Sequence, residues 1–109
     1  ITYSDDSKRE LLGVDPATLR EAGAVSEATV KEMVTGTLER SSAEVALAVS
    51  GIAGPGGGSE DKPVGTVCFA WGRKDSPPQA TTQRFSGDRE AVRRQAVIHA
   101  LKTLARIYI

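Results

Sequence analysis

Two residue types that carry much of site chemistry are nearly missing from this chain. It holds one cysteine, Cys68, and one histidine, His99, in 109 residues. A single cysteine excludes an internal disulfide and fits a reducing, cytoplasmic setting. One cysteine and one histidine cannot build an ordinary zinc site, so no metal is expected. An excess of either charge is missing too: 14 Lys and Arg balance 14 Asp and Glu. With no basic stripe, the chain lacks the electrostatic footprint of a nucleic-acid binder. No apolar run reaches membrane-spanning length, and no stretch reads as a signal peptide, so no membrane partner is expected.

The rest is ordinary for a globular domain, with 39% hydrophobic and 26% charged residues and a length that suits one domain. The opening Ile1-Thr2-Tyr3 reads as the end of a strand, and further residues are expected upstream. Ser4-Asp5-Asp6 marks a helix start, with a capping hydroxyl before two acids, and Gly13 stops that helix. Asp15-Pro16 starts a second short helix, closed by Gly23. Ser26 caps a third, in which Val30, Met33, Val34 and Leu38 share one face. Gly36 weakens that helix unless close packing requires it. Val45 to Val49 is a short continuous apolar run, expected to be a strand covered on both faces. Val64 to Trp71 is a second such run. Thr81 to Phe85 makes a more polar third strand near an edge, joined to the second by a hairpin around Pro77-Pro78. A long helix runs from Asp88, with Val97, Leu101, Leu104 and Tyr108 as its expected buried stripe. This order implies an α/β fold, a three-layer α/β/α sandwich with a mixed, mostly parallel sheet.

Between the first two apolar runs lies SGIAGPGGGSEDKP, Ser50 to Pro63, with five glycines and two prolines. It is not a Walker loop, because Lys62 is followed by Pro63 and a strand and not by a helix. A dinucleotide fingerprint fails for the same reason. Successive glycines let backbone N–H groups approach a ligand and form an anion-binding concavity. A flexible connector fits the composition as well. The punctuated start, Ser50 to Pro55, favours an ordered loop, and Ser59 to Lys62 reads as a mobile tip.

The segment AVSGIAGPGGGSEDKPVGTVCFAWG resembles the signature of the CinA C-terminal domain family. ITYSDDSKRELLGVD, GAVSEATVKEMVTG and FSGDREAVRRQAVIHAL agree with that family in order. The resemblance covers nearly the whole of residues 1–109 and implies a three-layer α/β/α domain. It also implies an activity: hydrolysis of the carboxamide of nicotinamide mononucleotide (NMN) to nicotinate mononucleotide and ammonia, in pyridine nucleotide salvage. Breaking an amide takes a nucleophile, a base and a proton for the leaving ammonia. The residues matching the family's lysine and tyrosine are Lys8 and Tyr3. Lysine acts as a base only where burial or a nearby cation favours its neutral form. By resemblance Ser50, Gly51, Gly54, Gly56 and Gly57 would face the substrate. Arg89, at a helix N-terminus, would hold its phosphate, with Arg93 one turn on as second choice. No metal or organic cofactor is implied.

The chain departs from the family at one point. The family's nucleophilic serine belongs to a Glu-Ser-Cys-Thr-Gly-Gly-type segment upstream of the Tyr-Ser…Lys motif, and 1–109 contains none. The domain is therefore expected to be partial, without its first strand and serine-bearing helix. Plainer readings stand beside these assignments: Lys8 as a solvated helix residue, Tyr3 as strand-end packing, and Arg89 as a surface arginine paired with Glu90 or Asp88. His99 is expected to be exposed, Cys68 to lie in the core, and Trp71 to pack at the sheet edge or line a pocket. Two other functions stay open. One is a nucleotide-binding module without catalysis. The other is a structural subunit that completes its sheet by association, as in a homo-oligomer.

Overall fold

Every helix starts where a side chain can satisfy its first free N–H groups. The computed structural model describes all 109 residues. Helix α1 is Asp5–Leu12; the Ser4 hydroxyl accepts from the Ser7 N–H, the Ser7 hydroxyl accepts from the Ser4 N–H, and Gly13 closes it in the left-handed region. Asp15 caps α2, Pro16–Glu21, and Ser26 caps α3, Glu27–Glu39. Strands β1 (Val45–Gly51), β2 (Thr66–Arg73) and β3 (Gln79–Arg84) follow, and then α4, Arg89–Tyr108, capped by Asp88. Ile1 to Tyr3 form no strand. No helix is long and apolar enough to cross a membrane.

The sheet runs β1-β2-β3 and both pairings are antiparallel, with Leu47 opposite Trp71 and Phe69 opposite Thr81. The mostly parallel sheet expected from the apolar runs is therefore wrong. A parallel pair needs a crossover, usually helical, and no helix stands between β1 and β2 or between β2 and β3. The continuous apolar character of β2 has another source. It is the central strand, and its alternate residues feed two separate cores. Cys68 and Ala70 join Ala46 and Ala48 of β1 with Val14, Val30, Met33 and Val34. Val67, Phe69 and Trp71 join Val92, Ala96 and Ala100 of α4.

Three further expectations change. Strand β1 is not covered on both faces: it ends the sheet, and Val45 and Val49 are partly exposed. In α4 the buried positions are Val92, Ala96, Ala100 and Thr103, whereas Val97 and Leu101 are more than half exposed. The small residues are the inward ones because Phe69 and Trp71 already fill the space beneath the helix. Leu104 and Tyr108 do pack against that core. Position 99 shares the inward face of Val92, Ala96 and Thr103 by helical spacing, so His99 is not a surface residue. Its ring lies 4.6 Å from Phe69, 5.8 Å from Trp71 and 6.3 Å from Phe85, and its buried Nε2 has no partner.

Gly36 has the packing role left open for it. A Cβ there would stand 1.8 Å from the main-chain oxygen of Leu12, so α1 and α3 cross in backbone contact. That crossing sets the position of α1, and with it Lys8.

Candidate functional site

Lys8 lies on the inner side of α1 and is only 5% exposed. Its Nζ donates to the Thr2 carbonyl at 2.7 Å and to the Tyr3 carbonyl at 3.3 Å. The chain's ion pairs are Arg9–Asp6, Arg40–Glu39 and Arg94–Glu90, so Lys8 has no carboxylate partner. The solvated reading of Lys8 fails. The Tyr3 side chain is 90% exposed, so it is not strand-end packing either.

Lys8 and Tyr3 line a cavity of about 540 Å³ together with Ser50 and Gly51. Its remaining walls come from Ile1, Thr2, Leu12, Met33, Thr37 and the Leu47–Val49 part of β1. The antiparallel register explains the arrangement. Ser50 and Gly51 are the last two residues of β1, opposite Cys68 and Val67, and α1 crosses α3 beside them. The Ser50 hydroxyl makes no hydrogen bond within the chain, whereas those of Ser4 and Ser7 are committed to the α1 cap. Gly51 is required by space, since a Cβ there would meet the Val67 side chain at 2.7 Å.

The glycine loop beyond Gly51 is tied at both ends. The Ile52 N–H donates to Thr66 O at 2.9 Å, and the Gly65 N–H donates to Ile52 O at 2.7 Å. The expected mobile tip is also held. The Lys62 ammonium donates to Ala22 O, the Lys62 N–H donates to the Ser59 hydroxyl, and Arg84 donates to Asp61 O. Between these ties Gly54 and Gly57 have positive φ, and the N–H groups of Gly54, Gly56, Gly57 and Gly58 have no acceptor in the chain. Arg89 is not paired with Glu90 or Asp88. Its Nη1 donates to Gly54 O at 2.9 Å.

The expected residues therefore fall into two groups. Tyr3, Lys8, Ser50 and Gly51 share the large cavity. Arg89 lines a separate hollow of about 330 Å³ with Ala53, Pro55, Val64, Gly87, Asp88 and Glu90. Arg93 belongs to neither and faces the outer side of β1 beside Leu47 and Val49. Sequence reasoning missed Thr2, which acts through its carbonyl, and Thr37, whose hydroxyl donates to Met33 O at 2.8 Å. A main-chain acceptor leaves no mark in a sequence. Nowhere do three His, Cys, Asp or Glu side chains gather to hold a metal ion.

Residues 1–108 match the family model described as the CinA C-terminal domain. The chain belongs to the CinA C-terminal domain family. Among curated relatives it is 54% identical over 109 residues to a protein of Enterobacter agglomerans named nicotinamide-nucleotide amidohydrolase PncC, covering 100% of this chain and 66% of the relative. A protein of the same name from Escherichia coli K12 is 51% identical over 104 residues, covering 95% of this chain and 63% of the relative. The chain thus spans just under two thirds of the length of these relatives. Among solved structures, the competence/damage inducible protein CihA of Agrobacterium tumefaciens superposes with a TM-score of 0.95 at 42% identity, over 99% of this chain and 66% of that one. The competence damage-inducible protein A of Klebsiella pneumoniae gives 0.91 at 45% identity, over 96% and 65%. Both carry the CinA fold, so the antiparallel three-stranded unit described above is read as part of that fold.

Proposed function

We propose that this chain is part of an amidohydrolase that converts NMN to nicotinate mononucleotide and ammonia. The observation that carries the reading is the burial of Lys8 in one cavity with Tyr3, Ser50 and Gly51, in a family whose relatives at 51–54% identity are named nicotinamide-nucleotide amidohydrolases. In this mechanism a serine from outside residues 1–109 attacks the carboxamide carbon. Lys8 takes the serine proton and passes it, directly or by way of the Tyr3 phenol, to the leaving ammonia. Water then releases the nicotinate product by the same base. The Thr2 and Tyr3 carbonyls hold the Lys8 nitrogen in place through both steps.

The free N–H groups of Gly54, Gly56 and Gly57 suit a polar, anionic part of the nucleotide. Arg89 has further guanidinium N–H groups beyond the one on Gly54 O, and we assign them to the phosphate. Apolar clusters on both sides of the sheet support a three-layer α/β/α arrangement for the whole domain.

A second reading has its own support. The Ser50 hydroxyl, the one serine in the cavity lining, has no base hydrogen-bonded to it, and Ser4 and Ser7 are engaged in the cap. Residues 1–109 alone then bind the nucleotide without cleaving it. Ammonia release from NMN separates the two. The whole protein is expected to release ammonia, and to lose at least about a thousandfold in rate on Lys8→Met. Release unaffected by that substitution would remove Lys8 from the mechanism. Release by residues 1–109 alone would make a serine of this chain the nucleophile.

A further inference from the structure

The tip of the glycine loop closes on itself: the Ser59 N–H donates to Lys62 O at 2.9 Å, and the Lys62 N–H donates to the Ser59 hydroxyl at 3.1 Å. A closed turn of this kind, carrying the exposed Glu60 and Asp61, can still swing as a unit on the base at Ile52 and Gly65. Two cationic side chains stop it. The half-buried Lys62 reaches 40 residues back in sequence, and its Nζ donates to Ala22 O at the C-terminus of α2. A cation is favoured there, because the last carbonyls of a helix lack helical partners. Gly23 keeps the space open, since a Cβ on it would stand 3.3 Å from that Nζ. From the other side Arg84 donates to Asp61 O at 3.2 Å.

The frame that receives these contacts is itself cross-linked. The Ser26 and Thr29 hydroxyls donate to Gly23 O at 2.8 and 2.7 Å, and Thr29 is fully buried. Glu32 accepts from the Asp15 N–H and the Thr18 hydroxyl, which ties α2 to α3. Two residues before Arg84, the Thr82 hydroxyl donates to Glu27 of α3 at 2.7 Å. The α2–α3 corner and the end of β3 thus form one frame with the loop tip gripped between them. Lys62 and Arg84 line neither the Lys8 cavity nor the Arg89 hollow.

We infer that Lys62 is a positioning residue: it clamps the tip of the glycine loop onto the end of α2, and so holds the free N–H groups of Gly54, Gly56 and Gly57 in place before a nucleotide arrives. The inference rests on the reading that this loop holds the nucleotide, and it adds a residue remote from the ligand. A loop fixed only at its base has many conformations, and each binding event must select one of them. With the tip clamped, that ordering is completed on folding. Releasing the clamp therefore weakens binding and spares the bond-breaking step, which belongs to groups on and before α1.

The test is Lys62→Met in the whole protein. KM for NMN is expected to rise on the order of tenfold, the worth of a hydrogen bond from a charged donor, with kcat changed by less than about threefold. Cleavage by a glutamyl endopeptidase after Glu60 or Asp61, located by mass, is expected to quicken by about the same factor at unchanged Tm, because it follows the population of the locally open loop. Lys62→Arg keeps the charged donor and is expected to restore both. Lys74→Met removes a lysine contact to Ser41 O beyond the other end of β2 and is expected to alter neither. Cleavage no faster in Lys62→Met would overturn the clamp. Faster cleavage with an unchanged KM would overturn the positioning role. A fall in kcat of about a hundredfold or more at unchanged cleavage would overturn it as well, by making Lys62 a group that touches substrate. If the whole protein releases no ammonia from NMN, the amidohydrolase reading fails, and the calorimetric Kd for NMN replaces KM in the same comparison. No NMN binding by calorimetry would overturn the positioning role too.

Discussion

Replacing Gly36 by alanine pits two effects of known sign against each other. In an exposed helix interior the change gains about 1 kcal/mol of helix propensity. Here the new Cβ would stand 1.8 Å from Leu12 O, 2.7 Å from Leu12 C and 3.1 Å from Leu12 Cα. All three atoms are backbone, so no side chain can swing away. Restoring ordinary contact takes a separation of roughly 1.5 Å between α1 and α3. The Leu12 carbonyl also accepts from the Arg40 guanidinium at 3.0 Å, and a shift of that size breaks the bond. Overpacking costs about 1–3 kcal/mol in well-packed interiors, and a fixed backbone acceptor places this case at or beyond the upper end. The expected outcome is a net loss of about 2 kcal/mol, or a fall of roughly 8–16 °C in Tm. Trp71 is the only tryptophan and is 1% exposed, so its emission reports urea unfolding directly. Gly56→Ala is the control: nothing lies within 4 Å of a Cβ there, and its φ is not positive, so stability should hold or rise slightly. Because Lys8 lies one turn before Leu12, Gly36→Ala should also weaken nucleotide binding although Gly36 touches no ligand. A stable or stabilised Gly36→Ala would show that α1 is not held against α3 as described, and the placement of Lys8 would fall with it.

Gly65 has φ +97°, and a Cβ there would meet Phe85 O at 2.1 Å, so Gly65→Ala should cost at least about 3 kcal/mol by urea denaturation. His99→Phe keeps the aromatic contacts and removes a buried nitrogen that has no partner; thermal melting should show a gain of up to about 1 kcal/mol. Trp71→Phe removes the 3.0 Å hydrogen bond to Ala100 O along with ring volume, and a loss of about 1–3 kcal/mol is expected by chemical denaturation. Arg89→Ala frees Gly54 O, and it should weaken nucleotide binding about tenfold or more in calorimetry while changing Tm little.

What the sequence revealed and what it hid divide along a physical line. Helix starts and stops were legible because capping is local: Ser4, Asp15, Ser26 and Asp88 all cap as their neighbours require. The β2–β3 hairpin was legible for the same reason, since a short connection leaves only an antiparallel return. The β1–β2 direction was not. A continuous apolar run reports burial on both faces, and a central antiparallel strand between two apolar clusters has that burial as fully as a parallel one. In α4 the large aliphatic residues were the wrong guide. Two stacked aromatic rings on β2, 5.7 Å apart, fill the space under α4 and are met there by Val92, Ala96, His99 and Ala100, and that constraint sits some 30 residues away in sequence.

The candidate site shows the same division at the level of single groups. Lys8 and Tyr3 could be named from their motif, and Ser50 and Gly51 from theirs, yet their meeting depends on a contact neither motif contains. Leu12 rests on Gly36 because only glycine lets two helix backbones come that close, and the contact fixes α1 over the end of β1. Burial then does the rest. With Lys8 only 5% exposed and no acid beside it, its nitrogen is held by two carbonyls donated from the three residues before α1. A main-chain oxygen can stabilise the ammonium without neutralising it. The charge therefore stays available to a ligand, where a carboxylate partner would have consumed it.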